Sequence, residues 1–233
     1  MAKQIAIIPT YNEAENIRGL LKCLIETYSD LELLIVDDNS PDGTGSIVKQ
    51  WQKTDPRIHL LARAGKDGLA AAYLAGFDWA LKRKFDCILQ MDADFSHNPK
   101  DVGRLLAVLS RADVAVGCRY TEGGDTIGWS PARRFISRGG NFYARRILGL
   151  HYRDLTGGFN AWKREVLESI QLSTIRSRGY AFQVELKYRA GRAGFSLEEV
   201  PIHFENRRFG TSKMSGDIVW EAAFRVFQMR FSG

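Results

Sequence analysis

Four aspartates occupy positions from which they can act together on a cation or an anionic ligand. Asp37 and Asp38 follow one apolar run typical of a buried strand, and Asp92 and Asp94 follow another. Two carboxylates one residue apart at a rigid strand end provide the oxygen ligands that Mg²⁺ and Mn²⁺ prefer. A lone Asp-x-Asp motif is equally typical of a turn, so the argument rests on the strand-end position and the second acidic pair. Together they favour a divalent metal site.

The alternation of strand-like and helix-like segments in the first half predicts how these aspartates are positioned. Continuous apolar runs predict strands, and apolar residues three or four apart predict the helices between them. The predicted strands are Gln4–Ile8, Leu31–Val36, Ile58–Leu61, Cys87–Met91 and Val114–Cys118. The predicted helices are Ala14–Thr27, Ser46–Gln52, Gly68–Leu81 and Asp101–Leu109. This order predicts an α/β fold with a mostly parallel central sheet flanked by helices, and ligands bind at the carboxyl ends of such strands.

The pattern changes after Gly117. The remaining segments predict helices over Ala132–Leu148, Tyr180–Ala190 and Asp217–Phe231, and a strand over Ser196–Phe204. Pro201 places that strand at a sheet edge, because proline has no N–H to donate. No linker is evident, so we expect a single domain over residues 1–233, with halves at 1–118 and 119–233.

Positive charge is confined to the second half. Residues 1–116 carry 14 Lys and Arg against 16 Asp and Glu, whereas residues 117–233 carry 19 against 11. Six arginines and no acid lie between Arg133 and Arg153. This asymmetry indicates an anionic partner: a phosphorylated ligand, an anionic membrane or a nucleic acid.

Several classes of protein are not expected. No run of about 18 apolar residues occurs, so no membrane-spanning helix is predicted. The N-terminus lacks a signal-peptide layout, and three cysteines without a Cys-x-x-Cys spacing predict neither disulfides nor a zinc site, which fits the cytoplasm. The loop 65–68 is equally compatible with phosphate binding or a simple turn, and neither a P-loop nor a Gly-x-Gly-x-x-Gly motif is present.

Three segments in the first half form a recognisable set: Ile8–Glu13, Val36–Thr44 and Met91–Pro99. They resemble the motifs of inverting family 2 glycosyltransferases of GT-A fold. Later segments narrow the resemblance to polyprenyl-phosphate (dolichyl-phosphate) mannose synthases: Gly117–Tyr120 with Gly123 and Gly124, Arg133–Asn141, Asp154–Phe159, Gly179–Phe182 with Glu185, and Arg207–Lys213. The resemblance covers essentially the whole chain in order. Two residues depart from the family pattern, Ala70 and Asn160, and arginine is common at the second of these positions. Ser96 is assigned no role.

The resemblance implies a GT-A Rossmann-like sandwich and a specific reaction. Mannose would pass from GDP-mannose to a polyprenyl (dolichyl) phosphate, with inversion, to give a polyprenyl β-mannosyl phosphate. The cofactor would be Mg²⁺ or Mn²⁺. Residues 1–118 would bind the nucleotide sugar and residues 119–233 the acceptor.

The resemblance also implies roles for individual residues. Asp92, Asp94 and Arg119 would be catalytic, and the two aspartates would hold the metal. The nucleotide sugar would contact Pro9, Tyr11, Glu13, Val36, Asp38, Met91, Asp92, Ala93, Arg207 and Lys213. The acceptor phosphate would contact Arg119, Arg133 and Ser137. Arg207 and Lys213 bracket Gly210 and Ser212, which is typical of a phosphate clamp that closes on the donor.

The last predicted helix places four aromatic residues on one face: Trp220, Phe224, Phe227 and Phe231. Such a face either packs on the core or lies in a membrane interface. Because a polyprenyl acceptor resides in a bilayer, we expect peripheral association with the cytoplasmic face of a membrane, aided by the apolar residues among the arginines of 133–153. The chain stops directly after this helix, which leaves room for a membrane segment beyond it.

Three other functions remain open at this stage. The same fold would serve a polyprenyl-phosphate glucosyltransferase that uses UDP-glucose. A nucleic-acid-binding module would use the arginine-rich half but leave the acidic strand ends unexplained, so we expect no nucleic-acid partner. A phosphatase built on Asp92 and Asp94 fits the preceding strand but lacks the remaining signature.

Overall fold

The computed structural model describes residues 2–206 and 216–231. The strands within these residues are β1 (Gln4–Thr10), β2 (Leu31–Asp37), β3 (Ile58–Ala62), β4 (Cys87–Gln90), β5 (Val114–Cys118), β6 (Asp125–Thr126), β7 (Asn160–Lys163), β8 (Leu197–Pro201) and β9 (His203–Phe204). The helices are α1 (Ala14–Thr27), α2 (Thr44–Gln52), α3 (Leu69–Lys82), α4 (Val102–Val108), α5 (Pro131–Leu148), α6 (Arg164–Ser169), α7 (Gly179–Arg192) and α8 (Gly216–Phe231). Short 3₁₀ turns cover Pro99–Asp101 and Leu172–Thr174.

Seven strands form the central sheet in the order β3-β2-β1-β4-β7-β5-β8. Strands β1 to β4 run parallel, as do β5 and β8, so the predicted mostly parallel sheet is confirmed. Strand β7, which the sequence analysis missed, runs antiparallel between β4 and β5. It joins the two halves of the chain in one sheet. A carbon side chain on Gly117 of β5 would approach the Phe159 carbonyl oxygen to 2.8 Å, so glycine lets β7 lie this close.

The parallel strands read as nearly continuous apolar runs because helices cover both faces of the sheet. On β1, Ala6 and Ile8 face a core closed by α1, α2 and α4, whereas Ile5 and Ile7 face a core closed by α3, α6 and α7. The acidic pairs therefore lie at the ends of strands in a sheet that is packed on both faces. This packing keeps the backbone of the strand ends rigid.

Helix α5 has well-defined ends that agree with its sequence. Ser130 accepts a hydrogen bond from the Arg133 N–H, Pro131 occupies the first turn, and Gly149 ends the helix in the left-handed conformation. A third, smaller core joins α5 to α7 and α8, and the Tyr143 hydroxyl donates to the Ala223 carbonyl across 3.2 Å. In residues 2–206 and 216–231, no helix has the length and apolar character needed to cross a bilayer.

The strand predicted over Ser196–Phe204 is two strands in the structure. Strand β8 pairs with β5 and ends at Pro201, whereas β9 pairs with β6 in a separate two-stranded sheet. Proline cannot donate to a neighbour, and the chain changes partner directly after it. The predicted edge position is confirmed, since β8 ends the seven-stranded order.

The close packing of α3 on the sheet gives a stability prediction. The Gly76→Ala methyl group would come within 2.5 Å of the Ile7 side chain. We expect this overpacking to lower the free energy of unfolding by about 1–3 kcal/mol, measured by urea denaturation. Gly139→Ala on α5 is the matched control, because nothing lies within 4 Å of the new methyl group. The control should be neutral or stabilising by roughly 1 kcal/mol, since alanine favours helix. Equal effects in both variants would contradict the packing explanation.

Candidate active site

The loop after β1 is held by the loop after β2. Three successive backbone N–H groups, those of Asn12, Glu13 and Ala14, donate to the side chains of Ser40, Thr44 and Asp42 at 2.9–3.0 Å. These N–H groups lie at the start of α1, where no intrahelical partner exists. The turn that follows β2 therefore fixes the backbone of the loop that carries Tyr11 and Glu13.

Left-handed backbone conformations mark the carboxyl ends of three neighbouring strands. Asn12, Asn39 and Phe95 follow β1, β2 and β4 with φ values of 61°, 59° and 60°. Asparagine adopts this region readily, whereas phenylalanine does so at a cost of about 1–3 kcal/mol. Such strain persists where surrounding contacts impose it, and at Phe95 it accompanies the tight turn that directly follows Asp94.

The predicted nucleotide-pocket residues fall into two groups. Pro9 and Val36 are neighbours across the β1–β2 ladder at this edge. Val36 and Met91 are fully buried in the two cores and Ala93 is 3% exposed, so these three residues offer little or no surface to a ligand in this structure. Tyr11 is half-buried, and the Lys66 ammonium lies 3.6 Å above its ring. Lys66 thus places a positive charge in the loop 65–68. For this loop the sequence analysis left two interpretations open, phosphate binding and a simple turn.

Asp38 is buried and has a cationic partner that sequence reasoning missed. The Arg63 guanidinium donates to Asp38 at 2.5 Å and to Asp67 at 2.8 Å. Burial raises the pKa of Asp38, and the charge and hydrogen bond of Arg63 counteract this only in part. Arg63 directly follows β3, so its position two residues beyond the predicted strand Ile58–Leu61 was the available signal.

Asp92 and Asp94 follow β4 and are held by the residues around them. The Tyr73 hydroxyl donates to Asp92 at 3.4 Å, and Asp94 accepts from the Ser96 N–H at 3.0 Å. Asp94 is 5% exposed, whereas Asp92 is half-buried. Burial and the nearby carboxylate of Asp92 raise the pKa of Tyr73 well above its usual value, so Tyr73 stays protonated and acts as a donor.

The donor set fits a hard cation shared with a substrate. Both side chains offer carboxylate oxygens, and the buried Ser96 hydroxyl beside them has no hydrogen-bond partner among the described residues. No group of three or more His, Cys, Asp and Glu side chains forms a metal cage in the described part of the chain. Mg²⁺ and related ions are commonly held by one or two carboxylates plus substrate phosphates, so two aspartates suffice when a diphosphate completes the shell.

His97 lies close to both the acidic pair and Arg119. Its ring stacks on Phe159 with 4.7 Å between centroids, and its Nδ1 accepts from the Asp92 N–H at 3.2 Å. Burial lowers the pKa of His97, and the charges of Asp92, Asp94, Arg119 and Asp154 all act on its ring. The ring is therefore neutral, with its proton on Nε2. The sequence analysis quoted His97 within a motif but gave it no role.

Arg119, predicted to contact a phosphate, is held in a buried ion pair. Its backbone N–H, Nε and Nη2 donate to the two carboxylate oxygens of Asp154 at 2.7–3.0 Å, and Nη2 also donates to Thr156. Burial lowers the pKa of Arg119, but Asp154 outweighs this and raises it above the usual value. Burial likewise raises the pKa of Asp154, and Arg119 outweighs this and lowers it. Both groups stay ionised, and Arg119 has a fixed orientation.

A buried polar network supports this pair. Asn141 of α5 accepts from the N–H groups of Leu155 and Thr156 and donates to the Thr156 hydroxyl. Lys187 of α7 is fully buried and donates to the carbonyls of Leu155 and Gly157 at 3.1 and 2.7 Å. Burial lowers the pKa of Lys187 to about 7. Two helices thus fix the loop that carries Asp154.

The three predicted acceptor-phosphate residues meet around one aromatic cluster. The Arg133 and Arg119 guanidinium groups lie 3.9 and 5.4 Å from the Trp129 ring centroid. The Ser137 hydroxyl lies 2.6 Å from the Tyr120 hydroxyl, whose ring faces Arg119. The structure therefore brings together residues that are separated by up to 18 positions in the sequence.

Arg207 and Lys213 lie outside the described residues. The chain just before them is attached to both parts of the site: the Glu205 N–H donates to the Ser96 carbonyl, and Asn206 bonds to Gly128 and Arg133.

Lys187 gives a prediction for the pH dependence of stability. Because its pKa is about 7 in the folded protein and 10.5 in the reference state, unfolding takes up a proton between these pH values. The contribution of Lys187 to the free energy of unfolding should therefore grow as the pH rises from about 7, by at most about 1.4 kcal/mol per pH unit. The measurement is urea unfolding of the wild type and of Lys187→Met over this range.

The matched control is Lys82→Met, since Lys82 is exposed on α3 and pairs only with Asp78. The stability difference between the wild type and this control should not change with pH. A constant difference between the wild type and Lys187→Met would contradict a neutral, buried Lys187.

Comparison with known proteins identifies the family. Residues 5–171 match the model described as glycosyl transferase family 2. The chain is 46% identical to the polyprenol monophosphomannose synthase of Mycolicibacterium smegmatis over 99% of its own length and 88% of the relative's. It is 44% identical to the undecaprenyl-phosphate mannosyltransferase of Micrococcus luteus over 95% of its own length and 91% of the relative's.

Solved structures share the fold. Glucosyl-3-phosphoglycerate synthase from Mycobacterium tuberculosis, in complex with Mn²⁺, UDP and its product, gives a TM-score of 0.74 at 17% identity, covering 98% of this chain and 80% of that one. A mannosyltransferase from Pyrobaculum calidifontis, in complex with GDP-Man and Mn²⁺, gives 0.60 at 17% identity, covering 99% and 73%. The expected GT-A fold is confirmed. With this fold, a family model over most of its length and two such relatives, the chain belongs to glycosyl transferase family 2 and is a glycosyltransferase.

Proposed function

We propose that the protein transfers mannose from GDP-mannose to a polyprenyl phosphate. One observation carries this proposal: Asp92, Asp94 and Arg119 all lie close enough to His97 for their charges to act on its ring, and Arg133 shares the Trp129 ring with Arg119. The two relatives named above support the acceptor class, because both are named for mannosyl transfer to a polyprenyl phosphate. The structural neighbour with bound GDP-Man and Mn²⁺ supports the donor and the metal.

The donor binds at the carboxyl ends of β1, β2 and β4. Tyr11, Glu13 and Asp38 lie on loops that hydrogen bonds fix, as a rigid nucleotide pocket requires. Asp92 and Asp94 hold Mg²⁺ or Mn²⁺, and this ion supplies positive charge to the diphosphate that leaves. Lys66 lies beside Tyr11, and Arg207 and Lys213 close over the donor.

The acceptor needs to be positioned more than it needs a base. A phosphate monoester carries a charge of about −1.5 to −2 near neutral pH, so it is already a nucleophile. The difficulty is to bring it close to an anionic sugar diphosphate. Arg119 and Arg133 neutralise the attacking phosphate, and Ser137 donates a hydrogen bond to it. A preorganised group of this kind contributes about 3–4 kcal/mol of barrier lowering.

The reaction is a single displacement. The acceptor oxygen forms a bond to the anomeric carbon while the bond from that carbon to the GDP oxygen breaks. His97 lies close to Asp92 and Asp94, which would hold the metal, and to Arg119, which would bind the attacking phosphate. Neutral His97 adds no charge beside them.

The chemistry of the acceptor places the reaction at a membrane surface. The protein then works as a peripheral protein on the cytoplasmic face. The arginine-rich helix α5 fits this location, because it carries the acceptor residues and exposes Phe135, Ile136 and Phe142.

The deciding experiment supplies labelled GDP-mannose and a polyprenyl phosphate, with and without EDTA. We expect a mannosyl lipid that EDTA suppresses and that excess Mg²⁺ or Mn²⁺ restores. NMR of the product should show a β-mannosyl phosphate, since inversion converts an α-linked donor. Transfer from UDP-glucose but not from GDP-mannose would replace this proposal with the glucosyltransferase. The structural neighbour with bound UDP is the reason to test this alternative. An α-linked product would exclude a single displacement.

The metal assignment is tested by Asp94→Asn. Asp94 provides a ligand charge, so we expect a loss of transfer of at least about 100-fold, or about 3 kcal/mol of barrier. Binding of Mn²⁺ with GDP, followed by electron paramagnetic resonance, should weaken in parallel. Asp78→Asn, the same change on the exposed face of α3, should leave both quantities unchanged. Normal Mn²⁺ binding by Asp94→Asn would refute the assignment.

A further inference from the structure

A cavity lies beside α7. It has a volume of about 970 Å³ and is bounded by the end of α6, the segment 171–177, α7 and α8. Its lining includes Arg176, Arg189, Arg192, Arg225, Gln228 and Met229. Helix α7 leads into the amino end of β8, so Arg189 and Arg192 lie toward the edge of the sheet opposite the carboxyl ends. Of the predicted site residues that the structure describes, none lines this cavity.

Positive charge in this cavity exceeds negative charge. Glu185 contributes the one carboxylate of its lining and pairs with Arg189, which also donates to Thr174. Arg176, Arg192 and Arg225 form no ion pair with any carboxylate of the described residues. Like charges that converge without a counter-ion favour an anionic ligand, and guanidinium groups match phosphate in geometry as well as charge.

The helix that forms one wall of this cavity also exposes an aromatic ridge. Phe224, Phe227 and Phe231 of α8 are 62%, 47% and 70% exposed, and the rings of Phe227 and Phe231 lie 4.7 Å apart. Their helical spacing places them on the face next to Arg225 and Gln228, which line the cavity. The opposite side of α8 packs on the protein through Val226.

We propose that this cavity binds the phosphate headgroup of an anionic phospholipid, while the aromatic ridge of α8 lies in the bilayer interface. A phosphate alone explains the arginines, but a soluble phosphate leaves the ridge without a role. A lipid uses both, because its headgroup is anionic and its glycerol and acyl region is apolar. This site is separate from the acceptor site and works without donor, acceptor or metal.

The test is vesicle flotation without GDP-mannose or polyprenyl phosphate. Vesicles of phosphatidylcholine carry the same mole fraction of either phosphatidylglycerol or dioleoylglycerol succinate, whose charge comes from a carboxylate. We expect tighter binding to phosphatidylglycerol at equal surface charge. Arg176→Gln/Arg192→Gln should weaken that binding about 30-fold, which corresponds to about 1 kcal/mol for each arginine.

Arg18→Gln/Lys53→Gln is the matched control. It removes the same charge from α1 and from the end of α2, on the opposite face of the sheet, and should leave binding unchanged. Phe224→Ser/Phe227→Ser should also weaken binding, with circular dichroism confirming that each variant folds. Transfer to a short, water-soluble polyprenyl phosphate should persist in Arg176→Gln/Arg192→Gln, so the outcome is distinguishable from failure of the proposed function.

Three results would overturn the proposal. Equal binding to the phosphate and carboxylate vesicles would leave only nonspecific charge attraction. An equal loss in the two double charge variants would show that the cavity has no special part. Undiminished binding by the phenylalanine variant, together with competition by free glycerophosphate, would indicate a soluble anion site instead.

Discussion

The buried ion pair between Arg119 and Asp154 is the constraint on which the acceptor half depends. A guanidinium group that must meet a phosphate has to be charged and fixed before the phosphate arrives. Asp154 achieves both, since it takes three donors from Arg119 and lies in the interior. Removing one partner of such a pair leaves an uncompensated buried charge, at a cost of about 3–5 kcal/mol. Asn141 and Lys187 hold the loop of Asp154 through hydrogen bonds. One polar network therefore connects α5, α7 and the end of β5.

The second constraint is that a cluster of negative charges and a cluster of positive charges lie close together in the candidate site. In the proposed reaction the aspartates after β4 and the arginines after β5 act on one pair of substrates, and direct pairing between them would cancel their charges. Strand β7 separates β4 from β5, and the neutral His97 ring, stacked on Phe159, fills the space at the sheet edge. Arg119 is instead balanced by Asp154, and Asp38 by Arg63. The insertion of one short antiparallel strand thus has a consequence for the chemistry of the site.

Local signals predicted the elements that carry their own pattern. The strands before Asp37 and Asp92 are continuous apolar runs, and α5 has a capping serine, a proline and a terminal glycine, so their positions agree with the structure to within one or two residues. Strand β7 has four residues and no alternation, and only its neighbours β4 and β5 make it a strand. The same holds for the candidate site: the spacing of Asp92 and Asp94 predicted a metal site, which stays a prediction, whereas Arg63, His97 and Lys187 contact residues 25 or more positions away. Such roles cannot be predicted from the sequence, because the partners are far apart in the chain and meet only in the folded protein.

Helix α5 relates the reaction to the surface on which it takes place. Its first turns carry Arg133 and Ser137, which face the acceptor site, and its middle packs against α8 through Tyr143. Helix α8 in turn exposes the aromatic ridge and lines the arginine-rich cavity. Helix α5 is capped at both ends, and its second half packs against α7 and α8. A bilayer that holds α8 at its ridge therefore also sets the angle at which the acceptor arginines meet the lipid surface. Under this arrangement, weak binding of one headgroup contributes to catalysis by limiting orientation, even though it touches no reacting atom.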